Sequence, residues 1–210
     1  MKRVLLLLSL PFFLYGGNLK TRITFTGDAT LSIRLLTQAF NALGYKLDIS
    51  SVKISERNGE LAAQASGMRV FSDSGLREKL REEGIEVEKS VYDAGELLLI
   101  LHTENAFWNV PILSSEESGA ELKRTNTPQW FRVNDAQKLR IQPPYAGKWY
   151  PDIAFFDRSM HLISSLRETK PGGELELEIP GGAYYLKISN VQGMKLLKEG
   201  MWIEAVDLSR

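Results

Sequence analysis

Cysteine is absent from the 210 residues, and histidine occurs only twice, as His102 and His161. The first absence removes disulfides, thiol nucleophiles and cysteine metal ligands at once. Small eukaryotic secreted domains lean on disulfides, whereas a bacterial envelope protein of this size buries enough apolar area without them. The second absence leaves little material for general-base or imidazole–metal chemistry. Neither histidine has another histidine or a carboxylate at ligand spacing along the chain. Charge of one sign is lacking too, since 26 Lys and Arg balance 26 Asp and Glu. No stretch gathers the basic residues into a stripe, so the counterion-displacing footprint that nucleic acid requires is missing. A strong pull toward anionic lipid is disfavoured for the same reason.

What is present starts at the N-terminus. Lys2 and Arg3 precede an apolar stretch, Val4 to Leu8 continuing through Leu10, Phe12, Phe13 and Leu14, and the small pair Gly16 and Gly17 follows. Basic, then apolar, then small is the order of a secretory leader. The apolar part is about a dozen residues, short of the roughly 20 that span a bilayer core. Residues 1–17 are therefore expected to be a cleavable signal peptide, with the mature protein in the periplasm, or at the cell surface or secreted, and with no transmembrane segment after cleavage. No cysteine follows the apolar run, which excludes the usual bacterial lipid anchor. Without Lys2 and Arg3 the remaining chain carries a formal charge of about −2.

The texture changes near residue 105, and two domains are expected, 18–105 and 106–210. In the first, residues 22–26 read as a short strand that stops at Gly27. Asp28 is a helix N-cap, and Leu31, Leu35, Leu36, Ala39, Phe40 and Leu43 recur at helical spacing up to Gly44. Residues 46–50 make the next strand. Residues 61–71 are ambiguous, with a strand suggested at Met68, Val70 and Phe71. Ser72 or Asp73 caps a second helix, residues 74–83, with Leu76 and Leu80 inward. Alternation over 85–90 and the run Leu97-Leu98-Leu99-Ile100-Leu101 suggest two further strands, the latter buried on both faces. Two helices on a mixed sheet follow. In outline this unit resembles the short βαβ modules at the front of secretins and TonB-dependent receptors.

In the second half, Glu174 to Ile179 alternate acid and aliphatic, Pro180-Gly181-Gly182 turns, and Ala183 to Ile188 return. This predicts a β-hairpin with Tyr184, Leu186 and Ile188 inward and Tyr185 outward. Further strands are expected at 129–133, 138–142, 152–156, 161–163 and 202–206. The fold class is thus α+β, a small α/β domain followed by an antiparallel, jelly-roll-like β-sandwich. Trp130-Phe131-Arg132-Val133, then Pro151 to Asp157, then Glu178-Ile179-Pro180-Gly181-Gly182-Ala183-Tyr184-Tyr185 resemble the bacterial pre-peptidase C-terminal domain, over residues 125–190. A similar pattern occurs in the C-terminal half of periplasmic maltose-operon proteins. The resemblance implies a non-catalytic β-sandwich appended to a secreted protein, and it carries over no catalytic residues.

Chemistry-bearing patterns are thin. Ser66 lacks the leading glycine of a nucleophile elbow, and Ser114-Ser115 lie in an acidic loop. Asp152 and Asp157, five apart on an extended strand, point to opposite faces, which argues against a shared carboxylate pair. Asp157 better suits a turn, bonding backbone N–H groups. Gly27-Asp28 before a helix suits capping better than phosphate binding, because the acid repels an anion. Asn134-Asp135 is too little for calcium. No catalytic residue, metal ligand or cofactor is assigned. Aromatic residues are the one enrichment with a functional reading. Trp108, Trp130, Tyr145, Trp149 and Tyr150 crowd the start of the second domain, and rings at a surface stack on sugars or anchor proteins. The candidate ligand- or partner-binding residues are Trp130, Tyr145, Trp149, Tyr150 and Tyr185. The expectation is a non-enzymatic envelope protein that contacts another envelope protein. A carbohydrate- or peptidoglycan-binding module is the alternative, and a periplasmic hydrolase with an interdomain site is the third reading.

Overall fold

The computed structural model describes residues 17–114, 119–134, 136–143, 148–196 and 201–206. The leader assigned to residues 1–17 lies outside them except for Gly17. The described chain is α+β, with two helices and fourteen strands in three mostly antiparallel sheets. It forms two compact units that divide between Ala106 and Phe107.

The first unit runs β1 (Gly17–Thr26), α1 (Ala29–Ala42), β2 (Tyr45–Ser55), β3 (Asn58–Gly67), α2 (Asp73–Glu82), β4 (Glu86–Asp93) and β5 (Glu96–His102). Its sheet has the order β2-β3-β1-β5-β4, with β1 and β5 parallel and the other neighbours antiparallel. Local chemistry explains the helices. The Asp28 carboxylate accepts the Leu31 N–H at 2.9 Å, and the Ser72 hydroxyl accepts the Gly75 N–H at 3.0 Å, each satisfying an orphan donor of a first turn. Gly44, at φ 82°, adopts the left-handed conformation that ends α1 without Cβ strain. The apolar stripe of α1 and the Leu76–Leu80 pair of α2 bury against alternate residues of the strands, among them Ile23, Phe25, Leu61, Leu97, Leu99 and Leu101. The tip of the Phe25 ring abuts Gly59, where an added Cβ would come within 2.1 Å of it. The opposite sheet face is open. Leu98 is 37 % exposed and Ile100 half-buried, so β5 is covered on one face only, not on both as its apolar run suggests.

β3 corrects the reading of residues 61–71. The strand is Asn58–Gly67, and Met68 and Val70 beyond it are exposed. Alanines at 62, 63 and 65 fill its interior, so the β-branched signal is weak although pairing to both β1 and β2 is complete.

The second unit contains β6 (Ile112–Ser114), β7 (Ala120–Leu122), β8 (Gln129–Asn134), β9 (Lys138–Gln142), β10 (Pro151–Phe156), β11 (Leu162–Arg167), β12 (Leu175–Glu178), β13 (Tyr185–Asn190) and β14 (Met201–Val206). One sheet has the order β11-β10-β13-β8-β6 and the other β12-β9-β14-β7. A single buried cluster draws on both, with Phe131, Val133, Ile153, Phe155, Leu186 and Ile188 from the first and Leu139, Ile141, Met201 and Ile203 from the second.

The predicted hairpin across Pro180-Gly181-Gly182 does not form. β12 pairs with β9, and β13 pairs with β10 and β8, so the turn carries the chain from one sheet to the other. Both strands send alternate aliphatics to the same cluster, and a period of two is blind to which neighbour a strand bonds. The Glu174–Glu176–Glu178 row is not simply solvated either. Arg140 on β9 reaches Glu176 at 2.9 Å, Glu204 on β14 at 3.2 Å and Glu174 at 3.7 Å. Its guanidinium pKa is raised by Glu176 foremost and then by Glu204. This sheet therefore presents a charged outer face.

Candidate interaction surface

The outer face of the β11-β10-β13-β8-β6 sheet is different in kind. Register sets it out in rows, Phe156–Tyr185–Arg132 and Ala154–Lys187–Trp130, with Asp152–Ser189 beyond. Residues one position along each strand, such as Phe131, Phe155 and Leu186, point the other way into the core. The segment after residue 106 lies over these rows and adds Phe107 and Trp108. The Trp108 N–H donates to the Tyr185 hydroxyl at 2.8 Å, a buried bond. Burial raises the Tyr185 pKa above its ordinary 10.0, partly opposed by that Trp108 bond.

The rings form one contiguous network. Centroids lie 4.9 Å apart for Trp108–Trp130, 5.2 Å for Trp130–Phe156, 6.2 Å for Trp108–Tyr185 and 4.8 Å for Tyr184–Tyr185. Cations frame it. The Arg132 guanidinium carbon stands 5.6 Å from the Phe107 centroid and that of Arg158 5.9 Å from Tyr184, within cation–π range. Lys187 holds Asp152 at 3.4 Å, both side chains one-quarter exposed. Arg132 Nε is buried with no hydrogen-bond partner among the described residues, so a strong donor on this face is unspent. Phe107, Trp130, Phe156 and Tyr184 are each half-buried, which leaves their edges to a partner.

The residues singled out from sequence divide sharply. Trp130 and Tyr185 come together here, joined through Trp108 and Phe156. Tyr185 is on the outer face of the sheet, as its phase suggests, but it is not open to solvent. It is 0 % exposed, because the Phe107–Trp108 segment covers its face of the strand. Trp149 is 1 % exposed and belongs to the core cluster, its indole N–H donating to the Ser189 carbonyl at 3.3 Å. It is therefore not a surface ring, and an isolated bridge to Gly172 holds its backbone. Tyr150 is half-buried, with its N–H on Asn190 Oδ1 at 2.9 Å. Tyr145 lies outside the described residues. Phe107, Arg132, Phe156, Arg158 and Tyr184 escaped the sequence reading. Alternation of Trp130 and Arg132 against Phe131 and Val133 is the signal that places Arg132 beside Trp130 on an outer face.

No family model, curated protein or solved structure matches this chain.

Elsewhere, one cluster has the outline of a nucleophile and base. His102 Nδ1 lies 3.2 Å from the Thr26 hydroxyl, and Nε2 lies 3.1 Å from Glu88. Thr26 also bonds Glu104, whose pKa is lowered chiefly by that hydroxyl and then by a backbone N–H. The neighbouring amides are spent. The Gly27 N–H bonds the Arg57 carbonyl at 2.7 Å and the Thr103 N–H bonds the Thr26 carbonyl at 3.0 Å, so neither offers a hole for an oxyanion. The cluster ties strand ends together. Asp157 accepts the His161 backbone N–H at 2.8 Å and its ring Nδ1 at 3.2 Å, the turn-shaping role its sequence context suggests. Among the described residues no group of three His, Asp or Glu side chains is placed to hold a metal, and no helix is long and apolar enough to cross a membrane.

Proposed function

We propose that this is a non-enzymatic, exported protein of the bacterial envelope whose second unit, a β-sandwich, docks a protein partner in the periplasm through its aromatic face. The observation that carries the reading is the juxtaposition of partly exposed Trp130, Phe156, Phe107 and Tyr184 with the Arg132 and Arg158 guanidinium groups. Tryptophan, tyrosine and arginine dominate the energetics of protein interfaces, because they offer large, stiff, amphipathic area. The residues that resemble the pre-peptidase C-terminal domain include β8, β10 and β13, three of the strands that build this face, in keeping with a docking role. Export is supported by the basic–apolar–small order of residues 1–17.

A glycan is a poorer fit. Sugars stack on ring faces lying side by side, whereas these rings are inclined to each other by 41° to 57° and cover one another's faces. The test is capture from envelope extract by the mature protein, beside Trp130→Ala and Trp202→Ala. Trp202 is a 38 % exposed control on the other sheet. A protein retained by wild type and Trp202→Ala but lost by Trp130→Ala supports the reading. Recovery of peptidoglycan or other glycan in its place, or equal loss with both variants, refutes it.

A further inference from the structure

The first unit ends its sheet on β2, and this edge has a pattern that the aromatic face does not explain. β2 is eleven residues long, with nine of them exposed. It contains no proline, and among the described residues no strand pairs along its outer side. Its bulge falls at Ser50, since Ile49 pairs with Ala63 and Ser51 with Ala62. The extra residue changes the alternation. Before it, odd positions share the helix-side face, with Tyr45 and Leu47 buried; after it, even positions do, because Val52 and Ile54 pair with Leu61 and Gly59. Ile49, Val52 and Ile54 thus continue the core row of the sheet past the cover of α1, at 39 %, 40 % and 61 % exposure. The other face carries Lys46 and Asp48 before the bulge and Ser51 and Lys53 after it.

We infer that β2 is a self-pairing edge whose partner is β2 of a second copy of this chain, antiparallel about a twofold axis between Ser50 and Ser51. In that register Ile49 meets the partner's Val52 and Leu47 meets the partner's Ile54, all four on the helix-side face. Asp48 meets the partner's Lys53, both on the open face. The match of faces exists only because of the bulge. In an unbulged strand, residues 49 and 52 point to opposite sides and this twofold pairing sets apolar against polar. Each pair occurs twice, so one interface joins four aliphatic contacts and two opposite-charge pairs. Two five-stranded sheets become one of ten strands.

Alternative registers are worse. A slip of two residues one way sets Lys46 against the partner's Lys53. A slip the other way sets Asp48 and Lys53 against serines. Lysines and a bulge on an edge deter indiscriminate pairing, and here Asp48, already paired with Lys46 of its own strand, also meets the partner's Lys53 in one register only. The interface uses none of the aromatic-face residues, so it stands or falls separately from the proposed docking role.

Sedimentation equilibrium of the mature chain tests it, at up to about 100 μM protein. The expected result is a monomer–dimer equilibrium that Asp48→Lys weakens at least tenfold and that Asp48→Lys/Lys53→Asp restores. Far-UV circular dichroism of the three proteins separates lost pairing from lost folding. Because the chain has no cysteine, register is read directly by oxidation. Ile49→Cys/Val52→Cys should form a disulfide-linked dimer, and neither single substitution should. A protein monomeric throughout that range, or a dimer indifferent to Asp48→Lys and not linked by the double-cysteine variant, overturns the inference.

Discussion

Replacing Trp149 with alanine separates a ring that holds the second unit together from one that meets a ligand. The side chain is 1 % exposed, sits in the cluster shared by two sheets, and bonds the Ser189 carbonyl through its indole N–H. A buried aromatic removes about 150–250 Å² from water, which at about 25 cal/mol per Å² corresponds to roughly 4–6 kcal/mol. Measured truncations of core aromatics fall at about 3–5 kcal/mol, because part of the site relaxes. We take about 4 kcal/mol. A domain of this size has a total stability of about 5–15 kcal/mol, so the variant should fold but only just. With a urea m-value of about 1–3 kcal/mol/M, the midpoint should fall by about 1.3–4 M. All four tryptophans, Trp108, Trp130, Trp149 and Trp202, lie in the second unit, while both helices lie in the first. Tryptophan fluorescence therefore follows the second unit, and the helical dichroism signal follows the first. Trp149→Phe, which keeps a ring but loses the N–H and some volume, should cost about 1–2 kcal/mol. A fluorescence-detected loss below about 1 kcal/mol for Trp149→Ala would refute the reasoning, since that is the response of a solvent-facing ring.

Two further outcomes follow from the titratable groups. Tyr185→Phe removes the oxygen that accepts the Trp108 N–H and should destabilise the second unit by about 0.5–1.5 kcal/mol at neutral pH. Because burial raises the folded-state pKa of Tyr185, its contribution is intact below pH 10.0 and lost as pH rises through the folded value. The variant should flatten that alkaline fall in urea midpoint, and an unchanged profile counts against the buried assignment. Glu104 is the opposite case, its folded pKa lowered by the Thr26 hydroxyl from an ordinary 4.5, so its share of stability is present above that value and lost as pH falls through the lower one. A carboxyl titration followed by NMR should move back toward 4.5 in Thr26→Val, and a value that stays put refutes the hydrogen bond.

The sequence shows most clearly what is settled by neighbours along the chain. Asp28, Ser72, Gly44 and the spacing of Leu31, Leu35 and Leu36 announce their helices because caps and stripes act within a few residues. Leu76 and Leu80 are inward as their spacing implies. The failures share a cause. Glu174 to Ile188 show the right alternation but not which strand each half bonds, because pairing is decided by residues far away, Lys138 to Gln142 for one half and Gln129 to Arg132 for the other. Tyr185 alternates with inward residues and so reads as exposed, yet Trp108, 77 positions earlier, lies on it. Trp149 follows a Gly-containing segment and precedes Pro151, which suggests a surface loop, while Gly172 and Ser189 enclose it. The candidate face was half legible. Trp130 was visible, but the arginines and Phe156 joined it only when strand register aligned them.

The position of β1 bears on how this chain comes into being. It is the first strand of the described chain and the middle strand of its sheet, bonded on one side to β3 and on the other to β5. Thr26 pairs with His102, so β1 waits for a segment 76 residues further along the chain. Until Leu97–His102 arrives, β1 has an unfilled side and the two helices lack half of the floor they cover. Closing so distant a contact is slow on the scale of local folding events. The central placement of β1 thus makes completion of this sheet wait for β5, the last strand of the unit.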